Sequence, residues 1–324
     1  MAPLTPAAVA AIARLRAFHP PPFSTWDHLS LSRKAAVLIL LFADRRGDLR
    51  VVLTMRAASL RSYSGQAAFP GGKADTLDED PFDIARREAY EEIGLPRDDS
   101  KIPSPFRIEH LCQLPFSCAR TALAVRPCVA FLHSDDNGGG DAASVEEAMI
   151  PKLDAKEVAA VFTARFHNFL REEDEVHDGE DVPGSRSDWY RGAWVDFNHS
   201  RWRMHEFYVP INNQLVTKPK VREGGPAAIA DSLDEEEGKD EAGMMRYKVW
   251  GMTARILVDA ARVAYGEEPE FAVGLPSPIH NTHLGDEAMI ENLYKMNRFG
   301  EKVPGGLTDA DIQAARAGVA QTKI

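Results

Sequence analysis

The chain has little cysteine and no long apolar run. Only three cysteines occur among 324 residues, at positions 112, 118 and 128, and they lack the spacing of a zinc site or a disulfide framework. We therefore expect buried thiols in an intracellular, reducing compartment. The longest apolar run, residues 35–43, is much shorter than the roughly 18 residues of a membrane span. A membrane partner is therefore not expected.

The chain also lacks a basic excess. Its formal net charge is −11, which argues against nucleic acid as a partner, because duplex binding usually needs a broad basic face. A small basic pocket remains open. The hydrophobic fraction of 44% supports a sizeable core, in one large domain or two smaller ones.

Composition and periodicity divide the chain into three parts. We predict a helical lead-in over residues 1–31, a central domain over 32–265 and a C-terminal extension over 266–324. Three acidic, glycine-rich segments near 135–147, 171–188 and 222–243 are interpreted as solvated insertions.

The two ends of the chain bear on its location. Apolar residues recur at Val9, Ile12, Leu15 and Phe18, which predicts a first helix, although an acid-free, arginine-containing start is also shared with mitochondrial transit peptides. Residues 322–324, Thr-Lys-Ile, resemble a degenerate form of the peroxisomal Ser-Lys-Leu signal. Peroxisome, cytoplasm and mitochondrion all stay open.

Strands and helices can be placed coarsely. Residues 35–56 predict two strands around a turn at 44–48, and further strands are expected at 107–114, 125–133 and 157–166. Residues 247–266 have the apolar spacing of a helix packed on the core. A short helix within 286–299 and a polar tail are expected to follow.

A glycine-rich loop precedes an acidic helix near the centre of the predicted domain. The loop, residues 57–72, ends in Phe-Pro-Gly-Gly, and paired glycines let backbone amides approach a ligand. Asp80 suits a helix N-cap, Pro81 the first helical position and Gly94 the position after the end. Phe82 and Ala85 begin the apolar stripe that would face the core, continued by Ala89 and Ile93.

Three carboxylates on this helix predict a cation site. Glu88, Glu91 and Glu92 stand at i, i+3 and i+4, so their side chains share one patch of helix surface. Mg²⁺ or Mn²⁺ prefers such oxygen ligands together with substrate phosphates. An exposed charged helix with pairs such as Arg87–Glu91 is the alternative, whereas the spacing from Asp75 excludes a calcium loop.

These residues carry a family resemblance. Residues 87–95, Arg-Glu-Ala-Tyr-Glu-Glu-Ile-Gly-Leu, resemble the REUxEExGU core of the Nudix box, which Gly72 would begin. Asp78 stands where the first box glutamate is usual, and eight residues rather than seven separate it from Arg87; counting from Glu79 would restore that spacing. The extra residue is typical of the coenzyme A pyrophosphatase branch.

The same branch has an upstream signature, LLTxR[SA]x3Rx3Gx3FPGG. Residues 52–72 are similar to it at every fixed position but the first, where Val52 replaces leucine, and they place Arg56, Arg61 and Gly65 in register with residues 69–72. Two adjoining motifs in register make a chance match improbable.

The resemblance implies an α/β fold: a Nudix α/β/α sandwich around a mixed β-sheet, with N- and C-terminal extensions and acidic loop insertions. It implies metal binding by Glu88, Glu91 and Glu92 and a catalytic role for Glu88, Glu92 and Arg87, with Arg87 orienting Glu88. Arg56 and Arg61 would grip substrate phosphates, next to Gly71, Gly72 and Lys73. Glu157 would add a metal ligand or position water.

The implied reaction is metal-dependent hydrolysis of the diphosphate of coenzyme A to 4′-phosphopantetheine and adenosine 3′,5′-bisphosphate. Oxidised nucleotides, NADH or inositol pyrophosphates are alternative substrates, and a non-catalytic ligand-binding protein is a rival of another class. A basic stretch would serve a highly phosphorylated inositol, and a homodimer is left open as the assembly. That stretch consists of Arg201, Arg203, His205, Lys218, Lys220 and Arg222.

Overall fold

The structure, a computed structural model, describes most of the chain. The described residues are 4–56, 66–134, 145, 149, 158–177, 184–197, 200–211, 214, 216, 246–273, 284–299 and 306–321. Several predictions lie outside them: the roles of Arg61, Glu157, Lys218, Lys220 and Arg222, the acidic segment 222–243, nearly all of 135–147, and the terminal tripeptide. The side chain of Arg201 is likewise outside the described set.

The described part of the chain contains both α-helices and β-strands. The helices are α1 (Pro6–Ala17), α2 (Thr25–His28), α3 (Pro81–Ile93), α4 (Gly251–Tyr265), α5 (Glu287–Lys295) and α6 (Asp309–Gln321). The strands are β1 (Lys34–Ala43), β2 (Leu49–Arg56), β3 (Ala67–Ala68), β4 (Gly71–Lys73), β5 (Phe106–Gln113), β6 (Ser117–Cys118), β7 (Ala124–Ser134), β8 (Val158–Arg165), β9 (Tyr190–Phe197), β10 (Ser200–Pro210) and β11 (Arg246–Trp250).

The first eight strands form one mixed sheet. Its path runs β3-β2-β1-β7-β5, with β4 also paired to β1, β6 to β7 and β8 to β2. Strands β1 and β7 are parallel and register Lys34 with Ala124 through Phe42 with Leu132, whereas the other pairs are antiparallel. Because β1 is central and paired on both sides, its near-continuous apolar sequence is buried on both faces.

Helices cover both faces of this sheet. One face packs on α1 and α4, whose buried residues include Ile12, Leu15 and Leu257. The other face packs on α3 through Ile84 and Ala89. The predicted α/β/α sandwich is therefore confirmed. In the described part of the chain, no helix is long and apolar enough to cross a membrane.

Two details of these helices differ from prediction. The buried face of α1 consists of Ala8, Ala11, Ile12 and Leu15, whereas Val9 is 52% exposed. The helix therefore buries a face that is rotated about its axis from the predicted one. Residues 246–250 form strand β11 rather than the start of a helix. In these residues the backbone pairs with the edge of β10 despite the helical spacing of the apolar side chains, and the helix begins only at Gly251.

A second, antiparallel sheet joins β9, β10 and β11 in the order β11-β10-β9. It packs on the α4 side of the main sheet, where Tyr247 meets Phe162 edge-on with ring centroids 5.0 Å apart. This sheet brings parts of the second acidic segment into the core. Asp174 is only 4% exposed and accepts a hydrogen bond from Asn168, so the prediction of a solvated insertion is wrong at that residue.

The C-terminal extension is folded onto the main sheet. Helix α6 buries Ile312 and Ala315 against α5 and residues near β6, so the predicted polar tail is a second helix. Asp286 accepts a hydrogen bond from the Cys118 amide at 2.8 Å and pairs with both terminal nitrogens of Arg255. These contacts tie α5 to β6 and α4.

The three thiols are as expected. Cys112 and Cys128 are buried and Cys118 is partly buried, all of them free. Burial raises the pKa of each thiol, that of Cys112 to about 12, which keeps them protonated and unreactive at neutral pH.

Candidate active site

The glycine turn is fixed by the main sheet. Gly71 and Gly72 lie on β4, which pairs with Val37 and Ala36 of β1. A Cβ on Gly71 would stand 2.5 Å from the Ala36 carbonyl oxygen, so only glycine allows this close approach of two backbones. The turn is thereby anchored against the most buried strand of the protein.

Helix α3 begins and ends as the sequence indicates. Asp80 accepts a hydrogen bond from the Asp83 amide at 2.8 Å, Pro81 occupies the first turn, and Gly94 closes the helix with a φ of 69°. Burial of Ala85, Ala89 and Ile93 sets the rotation of the helix about its axis. The face that carries Glu88, Glu91 and Glu92 is consequently turned towards the edge formed by β4.

The carboxylate of Glu88 lies directly on Gly72. A Cβ at position 72 would stand 2.5 Å from the Glu88 carboxyl carbon, so the absence of a side chain there creates the space that this carboxylate fills. The Glu88 side chain is only 17% exposed. Burial raises its pKa, with Glu91 and Asp75 adding to the effect and Arg87 opposing it.

Arg87 is the centre of the local hydrogen-bond network. Its guanidinium, 8% exposed, donates to Glu79 at 2.8 Å, to Glu88 at 3.0 Å and to Glu91 at 3.3 Å. It also donates to the carbonyl oxygen of Lys73 at 2.7 Å, which binds the helix to the glycine turn. A planar, multiply donating guanidinium is suited to hold several acids at fixed angles.

Glu79 was missed as a functional residue. The sequence predicted no role for it beyond its spacing to Arg87, but its side chain is only 10% exposed and also accepts a hydrogen bond from the Asp75 amide at 2.7 Å. Burial opposes ionisation, yet Arg87 and the amides of Asp75 and Thr76 hold the pKa of Glu79 below its usual value. The available signal was its seven-residue separation from Arg87, which matches the general box.

We predict that Glu79→Gln lowers turnover without unfolding the protein, since Arg87 would lose its best-buried acid and with it the orientation that holds Glu88. The expected loss is about tenfold to a hundredfold in kcat, together with about 1–3 kcal/mol of stability. Steady-state kinetics and denaturant unfolding of the variant check this.

The matched control for Glu79 is Asp78→Asn, which changes the neighbouring, exposed carboxylate. It should leave kcat within about twofold, as expected for a surface substitution away from such contacts. A Glu79→Gln enzyme with unchanged kcat would show that Arg87 does not depend on this pair.

Glu91 and Glu92 take different donors. Glu91 is 43% exposed and pairs with Arg87, whereas Glu92 accepts a hydrogen bond from the Gly71 amide at 3.1 Å. Within the described ranges, no three His, Cys, Asp or Glu side chains stand close enough together to hold a metal ion. The predicted convergence of Glu88, Glu91 and Glu92 on one point therefore requires rotation of side chains about their χ angles.

The donor chemistry nonetheless fits a hard divalent cation. The three carboxylates lie on the helix face that is turned towards the glycine turn. The Glu88 carboxylate fills the space left by the missing side chain of Gly72. Arg87 offsets part of their charge, while burial and then the charges of Glu91 and Asp75 raise the pKa of Glu88. Mg²⁺ and Mn²⁺ favour such oxygen donors and would complete the neutralisation.

Two cations flank the glycine turn. Arg56 ends β2, where its backbone amide donates to the Gln66 carbonyl oxygen, and its Nε is buried without a hydrogen-bond partner among the residues that the structure describes. Lys73 ends β4 with its side chain exposed to solvent. An unsatisfied buried donor is costly, so the Arg56 guanidinium is poised for an acceptor that a ligand would supply.

The basic stretch of the sequence is only partly placed. Arg203 and His205 lie on β10, where His205 is 4% exposed and bonded to Tyr190. His205 therefore lies in the core rather than on an exposed basic surface. Arg201 is on the same strand, but its side chain and Lys218 and Lys220 lie outside the described residues.

The sequence is similar to a known domain family and to several known proteins. The model of the NUDIX domain matches residues 32–166. Peroxisomal coenzyme A diphosphatase 1 of Saccharomyces cerevisiae is 31% identical over 316 residues, which cover 91% of this chain and 85% of the yeast protein. Peroxisomal coenzyme A diphosphatase NUDT7 of Mus musculus is 37% identical over 130 residues, 40% of this chain and 50% of the mouse protein. A solved Nudix hydrolase from M. Smegmatis gives a TM-score of 0.28 at 17% identity, covering 42% of this chain and 73% of that one.

Proposed function

The chain belongs to the Nudix hydrolase family, and we propose that it hydrolyses the diphosphate of coenzyme A or its derivatives with Mg²⁺ or Mn²⁺ as cofactor. The products would be 4′-phosphopantetheine and adenosine 3′,5′-bisphosphate. Support for the substrate comes from the coenzyme A branch signature at residues 52–72 and from the activity in the names of the yeast and mouse relatives.

One observation carries the catalytic proposal. The carboxylate of Glu88 is packed on Gly72, with a raised pKa, and is held there by Arg87. A carboxylate held in a fixed place beside the glycine turn is positioned to take a proton from the attacking water. Fixing it against the glycine turn spares the reaction the cost of orienting a base.

The cation would be held by Glu88, Glu91 and Glu92. When bound, Mg²⁺ or Mn²⁺ supplies Lewis-acid neutralisation of the diphosphate charge. The residues of the chain would orient the base and bind the substrate. Arg87 orients Glu88, while Arg56, Lys73 and the amides of Gly71 and Gly72 bind and align the diphosphate.

The bond changes are those of a simple hydrolysis. The water oxygen forms a bond to one phosphorus, and the bond between that phosphorus and the bridging oxygen breaks. Glu88 accepts a proton from the water, and the bridging oxygen leaves with the other phosphate. Two phosphomonoesters result from one diphosphate and one water. Most of the acceleration would come from positioning and charge neutralisation.

A substrate panel tests the proposal. The kcat/KM of the full-length protein is measured on coenzyme A, NADH, an oxidised nucleoside triphosphate and an inositol pyrophosphate, each with Mg²⁺ and with Mn²⁺. We expect coenzyme A to rank first. A higher value for another diphosphate would reassign the substrate, and failure to cleave any of them despite measurable binding would favour a non-catalytic protein.

We also propose a peroxisomal location, supported by the word peroxisomal in the names of the yeast and mouse relatives. Imaging the chain with a fluorescent protein at its N-terminus against a peroxisomal marker tests this. Diffuse fluorescence that does not overlap the marker would contradict it.

A further inference from the structure

Three residues of the second sheet form a directed hydrogen-bond chain. The Tyr190 hydroxyl lies 3.1 Å from Nδ1 of His205 and also bonds the guanidinium of Arg203. A guanidinium can only donate, so the tyrosine oxygen accepts from Arg203. In the tautomer of His205 with Nδ1 unprotonated, the hydroxyl donates its hydrogen to Nδ1 and the imidazole carries its proton on Nε2, as an N–H donor.

This cluster is rigidly built. The Phe271 ring stacks on Tyr190, with centroids 4.1 Å apart and an angle of 18° between the planes. On the neighbouring strand β9, Gly192 pairs with His205, and a Cβ on Gly192 would stand 2.5 Å from the Arg203 Cζ. The glycine therefore makes room for the guanidinium beside the tyrosine hydroxyl. Such support is what a preorganised binding group needs.

Arg203 gives the cluster a positive charge and has no acidic hydrogen-bond partner among the described residues. Arg203 lies over the Trp194 ring at 5.4 Å, and among the described residues no carboxylate pairs with it. Its Nε is buried and has no hydrogen-bond partner there. Burial raises the pKa of Tyr190, and the negative charge of Glu172 adds to this effect. A guanidinium with no carboxylate partner and an unsatisfied Nε–H fits an anionic ligand.

His205 strengthens this preference for an anion. Burial, together with the positive charges of Arg203 and Arg255, lowers the pKa of His205 to about 4. The imidazole is therefore neutral at physiological pH, and its Nε2–H remains a donor. The two charged side chains that lower the pKa of His205, Arg203 and Arg255, are both cations.

The second sheet places the cluster near the glycine turn. Glu206 of β10 pairs with Trp250, the last residue of β11, and β11 packs on β3. Arg203 and His205 precede Glu206 on β10 and lie past the end of β11. Strand β3 is followed directly by residues 69–72. The cluster is thus on the α4 face of the sheet, towards the end where β3 leads into the glycine turn, whereas the acidic helix α3 packs on the other face.

A second set of contacts leads to the same end of the sheet. Arg255, whose charge reaches His205, is paired with Asp286, and Asp286 binds the amide of Cys118. Cys118 lies opposite Ala124 on β7, which is aligned with Lys34 at the start of β1. The glycine turn pairs with that same start of β1.

We propose that Arg203, held by Tyr190 and assisted by His205, binds a phosphomonoester of the substrate that is separate from the diphosphate being cut. This inference rests on the proposed function, and it deepens it, because coenzyme A carries such a phosphate on its ribose whereas NADH does not. A guanidinium fork with a neighbouring N–H donor suits the three oxygens of a phosphomonoester. Arg203 is a binding residue in this account, and Tyr190 is a positioning residue.

The test compares two substrates that differ only in this phosphate. The kcat/KM on coenzyme A is divided by that on 3′-dephospho-coenzyme A for the wild-type protein and for Arg203→Gln, Tyr190→Phe and Arg191→Gln. Arg191 is a matched control, since it lies on the other face of the same sheet with its guanidinium 4.9 Å from the Tyr208 ring.

We expect the ratio to fall at least about tenfold in Arg203→Gln and several-fold in Tyr190→Phe, because a charge-assisted hydrogen bond to the phosphate is lost or misdirected. Arg191→Gln should keep the wild-type ratio. A purely structural role would lower activity on both substrates alike. An unchanged ratio in Arg203→Gln, with coenzyme A still cleaved, would overturn the inference.

A binding measurement separates this inference from the proposed reaction. Calorimetric titration of the wild-type protein with adenosine 3′,5′-bisphosphate and with AMP should show tighter binding of the bisphosphate, and Arg203→Gln should remove that difference. If coenzyme A is not cleaved but this pattern is found, the proposed reaction fails and the phosphate site stands. Equal binding of the two nucleotides by the wild-type protein would contradict the site.

Discussion

Glu92→Gln is expected to lose at least about a hundredfold in kcat while keeping its fold, because it removes one negative charge from the cation site. The structure explains why folding should survive. Glu92 accepts the hydrogen bond of the Gly71 amide, and a glutamine oxygen of the same shape can still accept it. Charge is lost, but the contact between helix and glycine turn remains. Kinetics with saturating Mg²⁺ and a thermal melt of the same preparation measure both effects.

The control for this variant is Asp83→Asn on the same helix. Asp83 is exposed in the first turn, away from the glycine turn, so its neutralisation should cost only a few tenths of a kcal/mol to about 1 kcal/mol of stability. Its kcat should match that of the wild-type protein. Normal turnover in Glu92→Gln would remove Glu92 from the cation site.

Gly72→Ala is expected to reduce kcat by a comparable factor, about a hundredfold, without touching an acid. An added Cβ would overlap the Glu88 carboxylate, with its carboxyl carbon only 2.5 Å away. The end of a flexible side chain yields more easily than the backbone pairing of β4 with β1. Glu88 should therefore be displaced from its place beside Arg87, and the fold should persist.

The readout for Gly72→Ala combines kcat with the melting temperature. We expect a large loss of kcat with a shift in melting temperature of a few degrees at most, since about 1 kcal/mol corresponds to only a few degrees in a domain of this size. A kcat within twofold of wild type would contradict the role given to the contact between Gly72 and Glu88. Extensive unfolding would instead show that Gly71 and Gly72 are both required by the backbone.

The helix and the glycine turn could be predicted because local rules govern them. Asp80, Pro81 and Gly94 are capping signals, and the apolar spacing of α3 fixes which face is buried. The mixed sheet and the α/β/α layers followed from the family resemblance, and the structure confirms both. The positions of Glu88, Glu91 and Glu92 on one helix face also follow from spacing alone.

Long-range contacts could not be predicted in this way. The burial of Glu79 depends on Arg87 reaching back over the loop, which periodicity does not encode. Strand β11 forms because β10 offers an edge, and α6 folds because α5 provides an apolar surface. The hydrogen-bond chain from Arg203 to His205 needs the register of β9 with β10, which sets Gly192 opposite His205.

The central claim is that this site cuts the diphosphate of coenzyme A with a divalent cation. The most direct measurement incubates the full-length protein with coenzyme A and Mg²⁺ and identifies the products by liquid chromatography and mass spectrometry, with a parallel sample containing excess chelator. The account predicts equal amounts of 4′-phosphopantetheine and adenosine 3′,5′-bisphosphate with Mg²⁺, and neither product with chelator. Intact coenzyme A under both conditions, or equal cleavage with and without the cation, would contradict it.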